Sequence, residues 1–490
     1  MKSKQVIVIG AGIAGISASV RLALKGYDVT VIEKNAYAGG KLTEIKQDGF
    51  RWDAGPSLFT LPKQVDELFE LAGENPRDFF NYQRLPIICN YFWNDGMFLS
   101  ASGDEHQFAK DVETTLGVKT KLVENYLKKS RFIYDTTAPV FLHQSLHKFR
   151  NYLNFKTLKG IVRMPLLGIF SILNNENQKQ LKHPRLVQLF NRYATYNGSD
   201  PYLAPGVLQS IPHLEFGEGA WFPEGGMISI TNSLVGLAKR CGVKFIFDTP
   251  VDEILVNSNL IEGVRCGELV HNCDLVVCNS DIIPAYRKLL AKQKAPEKIL
   301  SQPRSSSALI FYWGMKGVFE QLDMHNIFFS DDYKREFELL TEGSSISEDP
   351  TVYVNITSNL RKEDAPERCS NWFVMINVPG DKGQDWDKLI DKSRNAIIKK
   401  LNLSLKTDIE ELIHCESILD PKTIESKTSS FGGSLYGSSS NNRYAAFLRH
   451  ANFSSQIKGL YFCGGSVHPG GGIPLCLQSA RIVSDLIPNQ

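Results

Sequence analysis

Charge of one sign is scarce in this sequence. Its 55 Lys and Arg face 53 Asp and Glu, leaving a formal charge of +2 over 490 residues. That balance exerts no global pull on a polyanion, so no nucleic-acid partner is expected. The sequence also has no C-x-x-C. Its nine cysteines, an odd number, are scattered from Cys89 to Cys476 without a framework spacing, which argues against a disulfide scaffold and fits a reducing compartment. Cys463, His468 and Cys476 lack the spacing of structural zinc ligands, so no metal site is expected. Long hydrophobic runs are missing too: the longest nearly uncharged apolar stretch, residues 164–173, falls well short of the roughly 20 residues a spanning helix needs. Neither an internal repeat nor a long low-complexity segment is visible, and residues 437–442 read as a polar loop.

What remains is ordinary globular material, 42% hydrophobic and 22% charged, with 38 Gly and 22 Pro. At about 150 residues per domain, the length suggests about three domains. The start, a short basic stretch before an apolar run, has some character of a secretory leader, but a nucleotide-binding unit explains it better. Residues 5–9 read as a buried parallel strand, 13–25 as a helix and 27–33 as a second strand. Into the first turn fall Gly10, Gly12 and Gly15, a G-x-G-x-x-G with Ile13 and Ala14 inside it. The first glycine permits the tight turn, the second lets a pyrophosphate approach the backbone, and the third lets helix and strand pack closely. Glu33 ends the second strand about 20 residues on, where an acid accepts hydrogen bonds from ribose hydroxyls and disfavours a 2′-phosphate. FAD or NAD remain as ligands.

Two further glycine clusters extend the site. Gly39 and Gly40 precede Lys41, and Asp53 to Pro56 form D-x-G-P, a ligand-lined passage past the pyrophosphate with Gly55 and Pro56 on it. Near the far end, residues 459–463 read as a strand running into Gly464, Gly465 and the run His468 to Pro474. The helical pattern over 475–487 then aims a second helix N-terminus at an electron-rich ligand edge.

Together with Trp221 to Met227 (W-F-P-E-G-G-M), these motifs span nearly the whole chain in order and resemble the phytoene desaturase family, the FAD-dependent carotenoid desaturases within the amine-oxidase-like flavoproteins. Many members carry Arg where Lys41 stands. Lys41 and the segments 432–440 and 464–478 look more like the 1-hydroxycarotenoid 3,4-desaturase branch. The resemblance implies an α/β fold with a Rossmann-like FAD-binding domain and an inserted substrate- and membrane-contacting lobe. By the same resemblance Glu33, Lys34 and Val251 would serve the adenosine end of FAD, Leu58 would continue the passage at Gly55 and Pro56, and Gly464, Gly465, Gly472, Ile473 and Pro474 would border the flavin. The chain order implies a discontinuous FAD domain from 1–74, 215–290 and 415–490. Residues 75–214 would be a mainly helical substrate and membrane lobe, and 291–414 a substrate domain with strands over 308–313 and 372–378.

Residues 136–171 hold Lys148, Arg150, Lys156, Lys159 and Arg163 but no acid, interleaved with Phe141, Phe149, Tyr152, Phe155 and Phe170. That composition suits an interfacial segment, basic groups meeting anionic headgroups and apolar ones the acyl boundary. A peripheral position on the cytoplasmic side of a membrane is therefore expected; a basic helix pair packed inside the lobe is the competing reading.

Removing two hydrogens from an unactivated carbon pair needs a two-electron acceptor that side chains do not offer and flavin does. Few charged catalytic groups are expected, since holding a long apolar polyene in a dry tunnel is the main task. Phe59, Tyr196, Trp221 and Phe222 are expected at the tunnel or its mouth, with core packing as the alternative. His468 is expected to handle a proton or touch the ring, with a loop histidine satisfied by carbonyls as the alternative. Only one dinucleotide fingerprint is present, so electrons would leave to an external acceptor such as a quinone or dioxygen. Phytoene or another acyclic carotene as substrate, a flavin-dependent carotenoid isomerase, an amine- or porphyrin-oxidising flavoprotein, and a non-catalytic isoprenoid-binding protein are the rival functions. Gly12→Val is expected to place a side chain where phosphate oxygens belong and to expel the dinucleotide. Flavin absorbance of the purified variant measures this, and full absorbance would contradict the assignment.

Overall fold

The computed structural model describes residues 3–148, 167–343, 345–441 and 448–490. Strand β1 (Gln5–Ile9), helix α1 (Ile13–Leu24) and strand β2 (Asp28–Ile32) form the anticipated βαβ unit. β1 and β2 pair in parallel, and three short strands from distant parts of the chain complete a five-stranded parallel sheet. Its order is Leu460–Phe462, Leu275–Cys278, β1, β2, Lys244–Ile246. Both faces are covered, which is why the strands read as unbroken apolar runs instead of alternating ones. Val6 and Val8 pack beneath α1 and the helices Ile228–Arg240 and Ile473–Leu486, while Ile7 and Ile9 pack against Ile283, Tyr286 and Leu289.

A second, seven-stranded sheet runs in the order Ile413–Leu419, Ser307–Lys316, Cys369–Val378, Val352–Asn355, His325–Phe328, Ile87–Phe92, Phe98–Ser102. It is antiparallel throughout except where His325–Phe328 meets Ile87–Phe92. Period-2 alternation gives it two apolar faces. Leu309, Phe311, Trp313, Trp372, Val374 and Val354 pack with Ile397 and Leu401 of the helix Trp386–Leu405. Ala308, Ile310, Phe373, Met375, Tyr353 and Ile327 point the other way, into a cavity. Two of the strands come from the stretch expected to be mainly helical, and one straddles the anticipated boundary at residue 414. Strand pairing joins segments that composition alone separates.

Apart from the short strand Tyr82–Arg84, the remaining regular elements among the described residues of that stretch are helices. Glu105–Leu116 starts at Asp104, whose carboxylate accepts from the Gln107 N–H at 2.8 Å, and ends at Gly117 with φ of 67°. It packs with Thr120–Thr137, Leu173–Leu181 and Pro184–Asn191 around Phe108, Phe190 and Phe216. No helix among the described residues is long and apolar enough to cross a membrane. Of the expected interfacial segment, Arg150, Lys156, Lys159 and Arg163 lie outside the described residues; Lys148 is exposed, its Nζ 4.3 Å from the centre of the Phe453 ring.

One buried cation anchors the hairpin Glu44–Gln47 and Phe50–Asp53 beside the seven-stranded sheet. Arg51, on the strand Phe50–Asp53, reaches Asp53 at 2.5 Å, Glu44 at 3.0 Å and Asp364 at 3.4 Å. Its carbonyl accepts from Asn371 of the seven-stranded sheet at 2.6 Å, and Asp53 also accepts from the Ile228 N–H at 3.3 Å. Removing the guanidinium leaves buried Asp53 without its cation and Asp364 with Arg361 alone, and breaking a buried pair typically costs about 3–5 kcal/mol. Arg51→Met is therefore expected to lower the urea midpoint of the purified protein markedly, and an unchanged midpoint would show that the carboxylates find other partners.

Candidate functional site

A cavity of about 1010 Å³ runs from the carboxyl ends of the parallel strands to the face of the seven-stranded sheet. Gly12, Ile13 and Ala14, Gly39 to Lys41, Gly464, Gly465 and Gly472 to Pro474 line one end. Local backbone demands explain the glycines. Gly10 has φ of 95°, and a Cβ on Gly15 would lie 2.2 Å from the Gly10 carbonyl oxygen. Gly12 opens α1 without a side-chain cap, and Gly472 opens Ile473–Leu486 the same way at φ of 103°. Two helix N-termini, each with uncapped N–H groups, thus border one cavity, the arrangement that accommodates phosphate at one point and an electron-rich ring edge at another. A Cβ on Gly472 would meet no protein atom within 4 Å, so this cradle is shaped for something other than protein. These residues fit an extended flavin dinucleotide.

Asn279 holds the parts together: its side-chain amide donates to the Gly10 carbonyl at 3.3 Å and lies where a Cβ on Gly12 would come within 2.7 Å. Lys41 lies on the wall with Nζ donating to the Ser434 and Leu435 carbonyls at 2.9 and 2.8 Å. Burial lowers its pKa to about 8, against the opposing pull of Asp281.

At the sheet end the wall is mostly apolar, with one polar group of residues set into it. Arg192 and Glu215 form a buried pair at 3.3 Å, and the Glu215 carboxylate also accepts from the Tyr193 and Tyr196 hydroxyls. Arg192 donates to the Tyr91 hydroxyl at 2.9 Å and stacks 4.5 Å from the centre of the Tyr193 ring. Burial raises the Glu215 pKa while Arg192 opposes it. Nearby on the wall, His325 Nδ1 is 2.7 Å from the Tyr353 hydroxyl, which is 2.8 Å from Ser57 Oγ.

Of the residues expected from sequence, Gly55, Pro56, Leu58 and Tyr196 also line the cavity. Others lie off its described wall. Glu33, expected beside ribose, accepts main-chain bonds from Ala11 at 2.7 Å and Asn35 at 2.9 Å, closing the glycine turn. Lys34 donates to the Ser426 carbonyl and the Ser429 hydroxyl at 2.8 and 2.9 Å, and Val251 packs beneath the parallel sheet. Phe59 and Phe222 are core residues, and Trp221 stands edge-on to Tyr82. His468 is 2% exposed with Nε2 2.9 Å from the Gln144 carbonyl, and burial lowers its pKa to about 4, so its ring is a neutral, satisfied loop histidine. Arg192, Glu215, His325, Tyr353 and Ser57 stand in no sequence motif. Pairing of His325 with Asn355 and Ile327 with Tyr353 across adjacent strands brings two of them together.

Residues 13–488 match the family described as flavin-containing amine oxidoreductase. The chain is 52% identical over 486 residues, covering 99% of both proteins, to the 1-hydroxycarotenoid 3,4-desaturase of Flavobacterium sp. (strain P99-3). It is 31% identical over 498 residues to the 4,4′-diapolycopene oxygenase of Methylomonas sp., covering 99% of this chain and 98% of that one. Among solved structures, an oxidoreductase from Methanosarcina mazei superposes with a TM-score of 0.64 at 14% identity over 98% of this chain and 100% of that one, a likeness of fold. A glycine-lined dinucleotide cradle opening onto an apolar sheet face, matched almost end to end, places this chain in the flavin-containing amine oxidoreductase family.

Proposed function

We propose that this protein is an FAD-dependent carotenoid desaturase that introduces the C3–C4 double bond into a 1-hydroxylated acyclic carotenoid. The similarity to the Flavobacterium enzyme, 52% over 99% of both chains, carries the substrate class. The cavity supports it, because a wall built from Ala308, Ile310, Ile327, Phe373 and Met375 suits a hydrocarbon chain.

Bound flavin supplies the two-electron acceptor this chemistry requires. The chain's own residues bind, orient and exclude water. Gly12 to Ala14 and Gly39 to Lys41 would hold the dinucleotide, and the uncapped start of α1 would offer its N–H groups to phosphate. The apolar strands keep the polyene extended in a dry channel. Lys41, with two carbonyls occupying two of its donors, retains one ammonium proton for the cavity. Reoxidation falls to an external acceptor, a quinone or dioxygen, since the chain carries one dinucleotide fingerprint.

The substrate dissolves in bilayers, so the enzyme docks peripherally on the cytoplasmic face of a membrane through the basic segment 136–171. Phe170, an aromatic of that segment, is 64% exposed.

Flavin-loaded protein given a 1-hydroxylated acyclic carotenoid in liposomes is expected to yield a product lighter by two hydrogen atoms and absorbing at longer wavelength. A product of unchanged mass would identify an isomerase instead. Neutralising Lys148, Arg150, Lys156, Lys159 and Arg163 together is expected to reduce co-sedimentation with anionic vesicles, and unchanged co-sedimentation would refute the docking surface.

A further inference from the structure

We propose that Arg192 reads the substrate's hydroxyl group, an Nη1–H donating to the C1 hydroxyl oxygen while Nη2 stays with Glu215. The assignment rests on the 3,4-desaturase reading above and adds the determinant of its specificity.

The two arms of the guanidinium are spent differently. Nη2 donates to the Tyr91 hydroxyl at 2.9 Å and to Glu215 Oε2 at 3.3 Å. Nη1 has no hydrogen-bond partner among the described residues, and unlike Nε it is not sealed from space by its neighbours. Arg192 is 9% exposed and stands on the cavity wall, so its open arm borders the cavity. The short helix Arg192–Asn197 turns Thr195 and Tyr196 onto the same wall, and Thr195 Oγ1 donates back to the Arg192 carbonyl at 2.8 Å, which fixes that turn. Tyr333, also on the wall and within reach of the Arg192 charge, carries a second hydroxyl that is neither sealed nor partnered among the described residues. A hydrocarbon guest expels water from this wall. Nη1 then faces hydrocarbon with two unspent donors unless the guest brings an oxygen there, and a charged donor left unpaired is costly.

Position agrees with chemistry. The cavity has to take a dinucleotide as well, which leaves room for one end of a long polyene, and the hydroxyl-bearing carbon is at an end. Only C2 separates that carbon from the C3–C4 bond, so whatever reads the hydroxyl must stand close to the cofactor-side loop. Leu58, three residues beyond Gly55 on that loop, packs against the cluster that holds Tyr91 and Tyr193, the two rings against which the guanidinium lies. A site built to bond a substrate hydroxyl rejects the analogue lacking it, because its own donor is then left unpaired.

The test compares flavin-loaded wild type with Arg192→Lys and with the double variant carrying Arg192→Met and Glu215→Gln. Each is given a 1-hydroxylated acyclic carotenoid and its unhydroxylated counterpart, and the ratio of the two kcat/KM values is read. Removing both charges of the pair together avoids stranding Glu215, whereas Arg192→Lys keeps a cation for Glu215 but has no second arm. Wild type is expected to favour the hydroxylated chain, and both variants should lose about tenfold to a hundredfold of that preference, the worth of a hydrogen bond from a charged donor. A wild-type ratio in the double variant with full flavin absorbance overturns the proposal. If the double variant loses its flavin, Arg192→Lys decides: a fallen ratio supports the second arm and an unchanged one overturns it. Equal use of both carotenoids by wild type overturns the hydroxyl subsite and leaves the desaturase reading standing. Wild type that desaturates no 1-hydroxylated carotenoid refutes that reading, and the subsite with it.

Discussion

Close backbone approach at the carboxyl ends of the parallel strands is the constraint on which the rest of the molecule depends. β1, Leu275–Cys278 and Leu460–Phe462 come from three distant parts of the chain and run the same way. Their ends therefore deliver Gly10 to Gly15, Asn279 and Gly464 to one place. The fit leaves no room for side chains: a Cβ on Gly464 would lie 2.7 Å from Asn279 Oδ1, and one on Gly15 would strike the Gly10 carbonyl. Two helices start at this convergence with their first N–H groups unspent, so the same geometry that closes the protein's own packing opens an anion site.

From there the cavity is shaped by a sheet with two different tasks. Alternation gives every second residue of the long strands Ser307–Lys316 and Cys369–Val378 to a conventional core and the intervening ones to the cavity wall. The wall is apolar for the same reason the core is, yet it faces space that a guest must fill. Arg51 keeps the cofactor hairpin and this sheet in register, since its charge is satisfied only when Glu44, Asp53 and Asp364 all stand in place.

The polar residues in that wall are its most costly feature. Burying Arg192 and Glu215 together is eased by three tyrosine hydroxyls, Tyr91 accepting from Arg192 and Tyr193 and Tyr196 donating to Glu215, and a pair of this kind contributes shape and orientation more than net stability.

The sequence by itself determined the βαβ unit, the glycine clusters and the second helix start near Ile473, because a tight turn, a phosphate cradle and a parallel buried strand each impose residue types at fixed short spacings; the chemistry class came with the resemblance those motifs carry. Those signals are local, and they survived folding almost residue for residue. Only the tertiary structure decided which side chains stand together on the cavity wall. Ser57, His325 and Tyr353 are far apart in the chain and are gathered by strand pairing and one loop contact, for which no spacing exists to be read. The same holds for Phe59, Phe222 and His468, whose neighbours in sequence suggested a site. Packing against remote elements turned Phe59 and Phe222 into the core, and His468 meets the Gln144 carbonyl.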